Sequence, residues 1–250
     1  LVLTIVSLAM LDRRAGTGKI LSSVRVFAPI VFVAIIFNSL GDLISGIGTR
    51  HYDDILIRID FALFGLHPTV WMEQFNHVLL TGLLQVAYVS YYFMPIALAL
   101  ALYFRRDITD FNSAVFAMVL CFYLSYIGYL LVPAVGPRFT LSHVQTTAIL
   151  ADPVTSWIRQ TLDVLERNKT DAFPSGHTAV ALVSLAYAWK SHEKALFRIL
   201  VPVVSALIVS TVYLRYHYVV DVIAGVLLAA LTVLIAPKTY RLFSGSSGNP

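Results

Sequence analysis

Six apolar runs constrain the fold of this chain more than any other feature, because each is long enough, or nearly so, to cross the hydrocarbon core of a bilayer. The runs are 24–44, 80–104, 111–132, 174–189, 196–214 and 217–236. Backbone groups inside a bilayer must bond to one another, and a single apolar run achieves this as a helix. The sequence therefore predicts an all-α, polytopic membrane bundle with a six-helix core between residues 24 and 236.

The composition agrees with a membrane protein and excludes several other classes. The 250 residues are 58% hydrophobic and 13% charged, which is too apolar for a soluble domain with an ordinary surface. The net charge is +4, but the Lys and Arg residues lie in short clusters between apolar runs, so we expect no nucleic-acid partner. A single cysteine, Cys121, excludes a disulfide framework and a cysteine metal site.

The chain is predicted to form one membrane-embedded domain over residues 1–243, without internal repeats. Residues 1–11 form an apolar run of about half a membrane span, which predicts a truncated N-terminal helix. Two segments that mix polar and apolar residues predict an interfacial helix over 52–66 and a partly helical lid over 153–169. Gly- and Ser-rich residues 244–250 predict a flexible tail.

Basic residues cluster in alternate loops, and this clustering predicts the orientation of the bundle. One set of loops and flanks carries most of them: Arg13, Arg14, Lys19, Arg25, Arg105, Arg106, Lys190, Lys194, Arg198, Lys238 and Arg241. The positive-inside tendency makes this face cytoplasmic. We expect a multi-pass protein of the cell (inner) membrane, and the motifs described next fall on the non-cytoplasmic side.

The first motif with chemical content is Pro174-Ser175-Gly176-His177, where the fourth apolar run begins. A proline at the first helical position loses no hydrogen bond, and the free amides of a helix N-terminus bind anions. We therefore expect Ser175 and Gly176 to bind phosphate and His177 to carry a proton. Two roles stay open for Asp171: capping the helix, which we favour, and contacting a substrate hydroxyl.

A second cluster joins the fifth and sixth runs. His217 and Asp221 are four residues apart, so a helix places them on one face, where the carboxylate holds the imidazole in one tautomer. Arg215 beside them, and Arg138 after the third run, offer forked donors for phosphate oxygens. We expect His217 to attack phosphorus, with Asp221 stabilising the charge on the ring, and His177 to protonate the departing alkoxide. Because arginines neutralise the phosphate, we expect no metal and no other cofactor.

These motifs resemble those of the type 2 phosphatidic acid phosphatase superfamily. That family's pattern is Lys-x6-Arg-Pro, then Pro-Ser-Gly-His, then Ser-Arg-x5-His-x3-Asp, on a six-helix membrane core. The resemblance covers residues 24–236, and the second motif and the His-x3-Asp of the third match residue by residue. It implies that His217 is the nucleophile, Asp221 its partner and His177 the acid.

The chain departs from the family pattern at three positions. Leu131 stands where the family has lysine, Phe139 where it has proline, and Thr211 where the third motif has arginine. Arg215 lies one helical turn beyond Thr211, and Lys169 or Arg167 is a candidate replacement for the missing lysine. These departures resemble the branch that contains inositol-phosphorylceramide synthases.

Three functional hypotheses follow. The first is a lipid-phosphate phosphatase that acts on a lipid phosphate or diphosphate, with water as acceptor and a phosphohistidine intermediate. The second is a phosphotransferase that passes a phosphate-containing headgroup to a lipid or sugar alcohol. The third, which we favour least, is a lipid or ion transporter whose intramembrane charges form a translocation path. The expected partners are the lipid phosphate and the surrounding membrane lipids.

Overall fold

The computed structural model describes residues 32–33, 35–37, 39–44, 46, 50–166 and 168–244. From residue 53 onward these form α1 (Asp53–Phe64), α2 (Pro68–Trp71), α3 (Val78–Val89), α4 (Met94–Phe104), α5 (Ile108–Leu131), α6 (Pro137–Thr140), α7 (Pro153–Leu165), α8 (Gly176–Lys190), α9 (Lys194–Tyr213) and α10 (Val219–Ser244). Short 3-10 turns lie at Met72–Phe75 and Ser90–Tyr92. The described part contains no strand, so the prediction of an all-α fold is confirmed. The predicted N-terminal helix, Arg167 and nearly all of the predicted tail lie outside the described residues.

Three helices are long and apolar enough to cross a membrane: Ile108–Leu131, Lys194–Tyr213 and Val219–Leu242. Two further pairs pass the same test only together, Asp53–Phe64 with Pro68–Phe75, bent by 64°, and Val78–Tyr92 with Met94–Phe104, bent by 51°. The described residues therefore contain three spans, or up to five if each bent pair is one span. This agrees with the predicted multi-pass bundle.

The predicted run 80–104 is broken in the structure, and its sequence contains the cause. Pro95 lies in the first turn of α4. Proline has no N–H, and its ring clashes with the carbonyl four residues earlier, so a helix tends to kink or break there. The chain passes through the 3-10 turn Ser90–Tyr92 instead. This break brings three neighbouring tyrosines to the end of the bundle described below.

Helix α8 packs against α4, α5, α9 and α10. Its inward-facing residues are small, and Ala179, Val180, Ala181 and Val183 are fully buried. Small residues allow helix backbones to approach closely, which matters in lipid because burial of apolar surface gives little driving force there. The N-terminus of α8, which carries the Pro-Ser-Gly-His motif, is thus surrounded by other helix ends.

Backbone hydrogen bonds join the three motif segments at one end of the bundle. Arg138 N–H donates to Arg215 O at 2.9 Å, and Ser175 N–H donates to Asp221 O at 3.0 Å. Between Arg138 and α5, Gly136 has φ +88°, and a Cβ there would lie 2.5 Å from Tyr216 O, so only glycine fits this crossing. Three segments that are far apart in sequence therefore meet at this end of the bundle.

Candidate active site

His217 is buried two residues before α10 begins, and the contacts of its Nδ1 atom fix the orientation of its ring. Its Nδ1 lies 2.8 Å from Ala172 O and 3.6 Å from Oδ2 of Asp221. A carbonyl only accepts, so Nδ1 carries the proton and Nε2 presents a lone pair. Burial lowers the pKa of His217, which favours the neutral ring. The imidazole is therefore arranged as a nucleophile.

The short contact to Ala172 differs from the expectation that Asp221 alone would fix the tautomer. Oδ2 of Asp221 accepts from Tyr218 N–H at 2.8 Å. Its Oδ1 is buried without a hydrogen-bond partner in the part of the chain that the structure describes. Asp221 thus lies behind the ring as a nearby carboxyl group, while a backbone carbonyl, which no side-chain pattern reveals, accepts the hydrogen bond from Nδ1.

His177, the second residue of α8, faces His217 across a narrow gap. The two ring centroids are 5.7 Å apart. The His177 ring packs between Tyr88 and Tyr91, at centroid distances of 4.5 and 4.2 Å. Its Nε2 is buried and makes no hydrogen bond within the described residues. An imidazole held by packing, with an unbonded nitrogen, can carry a proton toward a bound group.

Two cations converge on one carboxylate at the same end of the bundle. Arg138 Nη1 lies 2.6 Å from Oδ1 of Asp163, and Lys169 Nζ lies 3.8 Å from the same atom. The Arg138 guanidinium also packs over the Tyr216 ring, 4.9 Å from its centroid. The two candidate phosphate ligands thus already share an anionic partner.

A small polar cavity of about 20 Å³ connects these groups. It is lined by Tyr88, Val135, Arg138, Glu166, Lys169, Asp171, Ala172, His177, Tyr216 and His217. This volume suits one water molecule. Five of the residues singled out in the sequence meet here: Arg138, Lys169, Asp171, His177 and His217.

A second, much larger cavity of about 580 Å³ adjoins the first. Its walls are almost entirely apolar or aromatic, and Tyr91 and Tyr92 lie among them. Both cavities share Glu166, Asp171 and His177. The apolar cavity therefore ends at His177, which also lines the polar cavity.

Ser175 and Gly176 do not line either cavity. The Ser175 side chain caps α8, accepting from Thr178 N–H at 3.3 Å. The Gly176 amide bonds to the Tyr129 hydroxyl, and a Cβ on Gly176 would clash with that hydroxyl. Both residues were expected to bind phosphate, but in this structure their polar groups hold the motif in place.

Asp171 does not cap α8, so that expectation is wrong; the helix N-cap is Ser175. Asp171 instead pairs its backbone with Ala134 and lines both cavities. Burial, with Glu166 as the nearest like charge, raises the pKa of its carboxyl to about 7. The alternative, a contact with a substrate hydroxyl, stays a prediction.

Arg215 lies away from both cavities, which differs from its expected role as a phosphate ligand. Its Nη2 lies 3.0 Å from Oε1 of Glu73 and 2.6 Å from Thr147 O, and its Nη1 donates to Gln145 at 3.0 Å. Its backbone adopts the left-handed region, with φ +67°. The guanidinium ties three chain segments together instead.

Two buried acids in α1 support the motif loops, and sequence reasoning missed both. Asp53 accepts from Gly136 N–H at 2.9 Å and from the Tyr218 hydroxyl at 2.8 Å. Asp60 accepts from the amides of Val219 and Val220 at 2.9 and 2.8 Å, at the start of α10. The spacing of seven residues, which places both acids on one face of the helix, was the available signal.

Asp60→Ala is expected to destabilise the protein by about 1–3 kcal/mol, because it leaves two partly buried amides of α10 without an acceptor. His217 lies two residues before the first of these amides, so turnover should fall as well. Thermal unfolding of detergent-purified protein measures the stability. Asp54→Ala is the matched control, since Asp54 lies in the same helix but is exposed. Equal melting temperatures for the two variants would contradict the supporting role of Asp60.

The fold and the site together define a class, a polytopic membrane bundle with two facing histidines, an arginine and a lysine at one end. The family model of the PAP2 superfamily matches residues 55–235, and the chain belongs to this superfamily. Membership supports phosphatase-type or phosphotransferase-type activity. No curated protein and no solved structure shows a significant match to the chain.

Proposed function

We propose that this protein is a membrane lipid-phosphate phosphatase that acts on a lipid phosphate or diphosphate through a phosphohistidine. The observation that carries the proposal is the position of His177, which lines both the polar and the apolar cavity. A lipid phosphate has a polar and an apolar part joined at one P–O bond. Placing each part in the matching cavity puts that bond beside His177.

The proposed reaction has two half-reactions. Nε2 of His217 attacks phosphorus, and a P–N bond forms as the P–O bond to the lipid breaks, while His177 gives its proton to the departing oxygen. A water molecule then gives a proton to His177 and its oxygen attacks phosphorus. The P–N bond breaks, phosphate leaves, and both histidines return to their starting states.

Arg138 and Lys169 would neutralise the phosphoryl oxygens. Asp163 now lies beside both cations, and a phosphoryl group would take the place of its carboxylate. The polar cavity, at about 20 Å³, must enlarge to admit that group, so the half-exposed Asp163 side chain must leave the two cations when substrate binds. Lys169 then replaces the lysine that the family pattern places at position 131, where Leu131 is 68% exposed.

The proposal uses side chains alone, with no metal ion and no other cofactor. Following the charge of the loops, it places the protein in the cell (inner) membrane with the site on the non-cytoplasmic side. Membrane lipids then reach the apolar cavity without leaving the bilayer.

The second candidate is a phosphotransferase similar to inositol-phosphorylceramide synthases. The departures at positions 131, 139 and 211 favour it. Only the acceptor differs, since an alcohol would replace water in the second half-reaction.

Purified protein, a labelled phospholipid and a set of lipid and sugar alcohols separate the two candidates. The phosphatase proposal expects free phosphate or a free phosphorylated headgroup, unaffected by added alcohol. A labelled product that contains the alcohol would instead establish the transferase. No turnover of any lipid phosphate would contradict both candidates.

Val119→Trp is expected to raise KM for long-chain lipid phosphates about tenfold or more, because Val119 lines the apolar cavity and the indole would fill it. A short-chain phosphate should be turned over as in the wild type. The matched control is Leu231→Trp, since Leu231 is 47% exposed on α10 and lies outside the cavity. A KM change that does not depend on chain length would contradict this use of the cavity.

A further inference from the structure

Glu166 lies where the two cavities meet, although no motif assigns it a role. Its Oε1 is 4.0 Å from Nε2 of His177, and each of the two side chains is 12% exposed. The Glu166 carboxylate also accepts a hydrogen bond from the Tyr92 hydroxyl. Burial lowers the pKa of His177 well below its usual value, and a carboxylate this close to the ring opposes that effect by favouring the protonated, charged form.

Helix α7 fixes the position of Glu166. The residue caps the C-terminus of this helix, and its N–H donates to Leu162 O at 2.8 Å. Helix α7 packs against α3, and Tyr92 belongs to the turn that follows α3. The backbone hydrogen bond of Glu166 and the hydrogen bond from Tyr92 therefore fix the position of the carboxylate beside His177.

The other side chains that pack on the His177 ring are aromatic. Tyr88 and Tyr91 pack on the ring with their aromatic faces, Tyr92 meets it edge-on at 6.5 Å, and His217 faces it at 5.7 Å. The charged groups that line the polar cavity are Arg138, Glu166, Lys169 and Asp171. Among the described residues, Glu166 is the carboxylate that forms an ion pair with His177.

We propose that Glu166 is a positioning residue that favours the protonated form of His177 and aims its ring at the leaving oxygen of the substrate. The inference rests on the proposed function, because that function makes His177 the acid. Glu166 stays ionised throughout: His177 passes its proton to the lipid oxygen as the P–O bond breaks, and takes one from the acceptor hydroxyl in the second half-reaction. The Tyr92 hydroxyl holds the carboxylate while the charge on the ring changes.

The test compares Glu166→Gln with the wild type on two substrates that differ in their need for an acid. A lipid phosphate loses an alkoxide, which requires a proton, whereas nitrophenyl phosphate loses a stable phenolate, which does not. On the lipid phosphate, kcat at neutral pH is expected to fall on the order of tenfold or more, and the pH above which activity declines should move lower. On nitrophenyl phosphate, kcat should change little.

Each outcome decides a different point. An equal loss on both substrates, with an unshifted pH profile, would show that Glu166 only supports the fold and would overturn the inference. Unchanged activity on the lipid phosphate would overturn it too. A wild type that turns over neither substrate refutes the proposed function itself.

A second variant keeps the inference testable if Glu166→Gln does not fold, as judged by gel filtration in detergent. Tyr92→Phe retains the carboxylate but removes its hydrogen-bond donor. We expect the same pattern with a smaller loss, seen on the lipid phosphate and absent on nitrophenyl phosphate. A loss that is equal on both substrates, or no loss at all, would overturn the role of Glu166.

Discussion

His217→Ala is expected to lower the turnover of a lipid phosphate a thousandfold or more, because the variant lacks the proposed nucleophile. The ring is buried, and its Nδ1 donates to Ala172 O at 2.8 Å, so the variant also loses one hydrogen bond of the fold. The measurement is the initial rate of phosphate release by the purified variant, together with its melting temperature.

The matched control for this variant is His143→Ala, since His143 is exposed and lies outside both cavities. It should retain the activity of the wild type. If His217→Ala stays folded and still turns over lipid phosphate, the nucleophile is misassigned. If the variant instead transports lipid or ions at the rate of the wild type, the result supports the transporter hypothesis and contradicts the proposed enzyme.

Glu73→Ala is expected to destabilise the protein by about 3–5 kcal/mol, because it leaves the buried Arg215 guanidinium without its charged partner. The two side chains lie 3.0 Å apart, with exposed fractions of 8% and 10%. Glu73 also accepts from Thr146 N–H and from its hydroxyl, so the loop after α6 loses an anchor as well. Thermal unfolding in detergent measures the loss.

The double variant Glu73→Leu/Arg215→Leu is the control, since it removes both charges together. It should be more stable than Glu73→Ala, because no buried charge is left uncompensated. A phosphate-binding Arg215 predicts the opposite result: Glu73→Ala would keep its stability and bind inorganic phosphate more tightly, because the guanidinium would be released to the ligand.

The parts of the site that sequence analysis predicted are those set by local pattern. His177 follows a proline at the start of the fourth apolar run, and His217 begins the last run. Both histidines were therefore expected at helix ends. Alternate loop charge placed Arg138 at the same end. These inferences needed only helix periodicity and the direction of each run, and the backbone bonds between Arg138 and Arg215 and between Ser175 and Asp221 agree with them.

The parts that sequence analysis missed depend on contacts between distant residues or on the backbone. Arg215 lies one helical turn beyond the arginine position of the family pattern and was expected to bind phosphate, but its partner is Glu73, 142 residues earlier. The acceptor of the His217 proton is a backbone carbonyl, which every residue has. Glu166 lies in no motif, and only the bend between α3 and α4, which positions Tyr92, gives its carboxylate a partner.

The roles of Ser175 and Gly176 show a second limit of prediction from sequence. A helix N-terminus with a proline and small residues is typical of an anion site, but the same composition also allows a tightly packed helix end. In this structure the Ser175 hydroxyl caps α8, and Gly176 leaves room for Tyr129. The sequence pattern alone does not separate these two uses, since both need the same small residues.

The central claim is that His217 becomes covalently phosphorylated while His177 supplies the proton, and one measurement tests it most directly. Wild-type protein and His217→Ala are mixed with a lipid phosphate labelled in its phosphate group, quenched in alkali within one turnover, and analysed for label bound to protein. The account predicts a phosphoprotein in the wild type that is stable in alkali and lost in acid, with the label on His217, and none in the variant. Turnover by the wild type without any bound label, or equal labelling of both proteins, would contradict it.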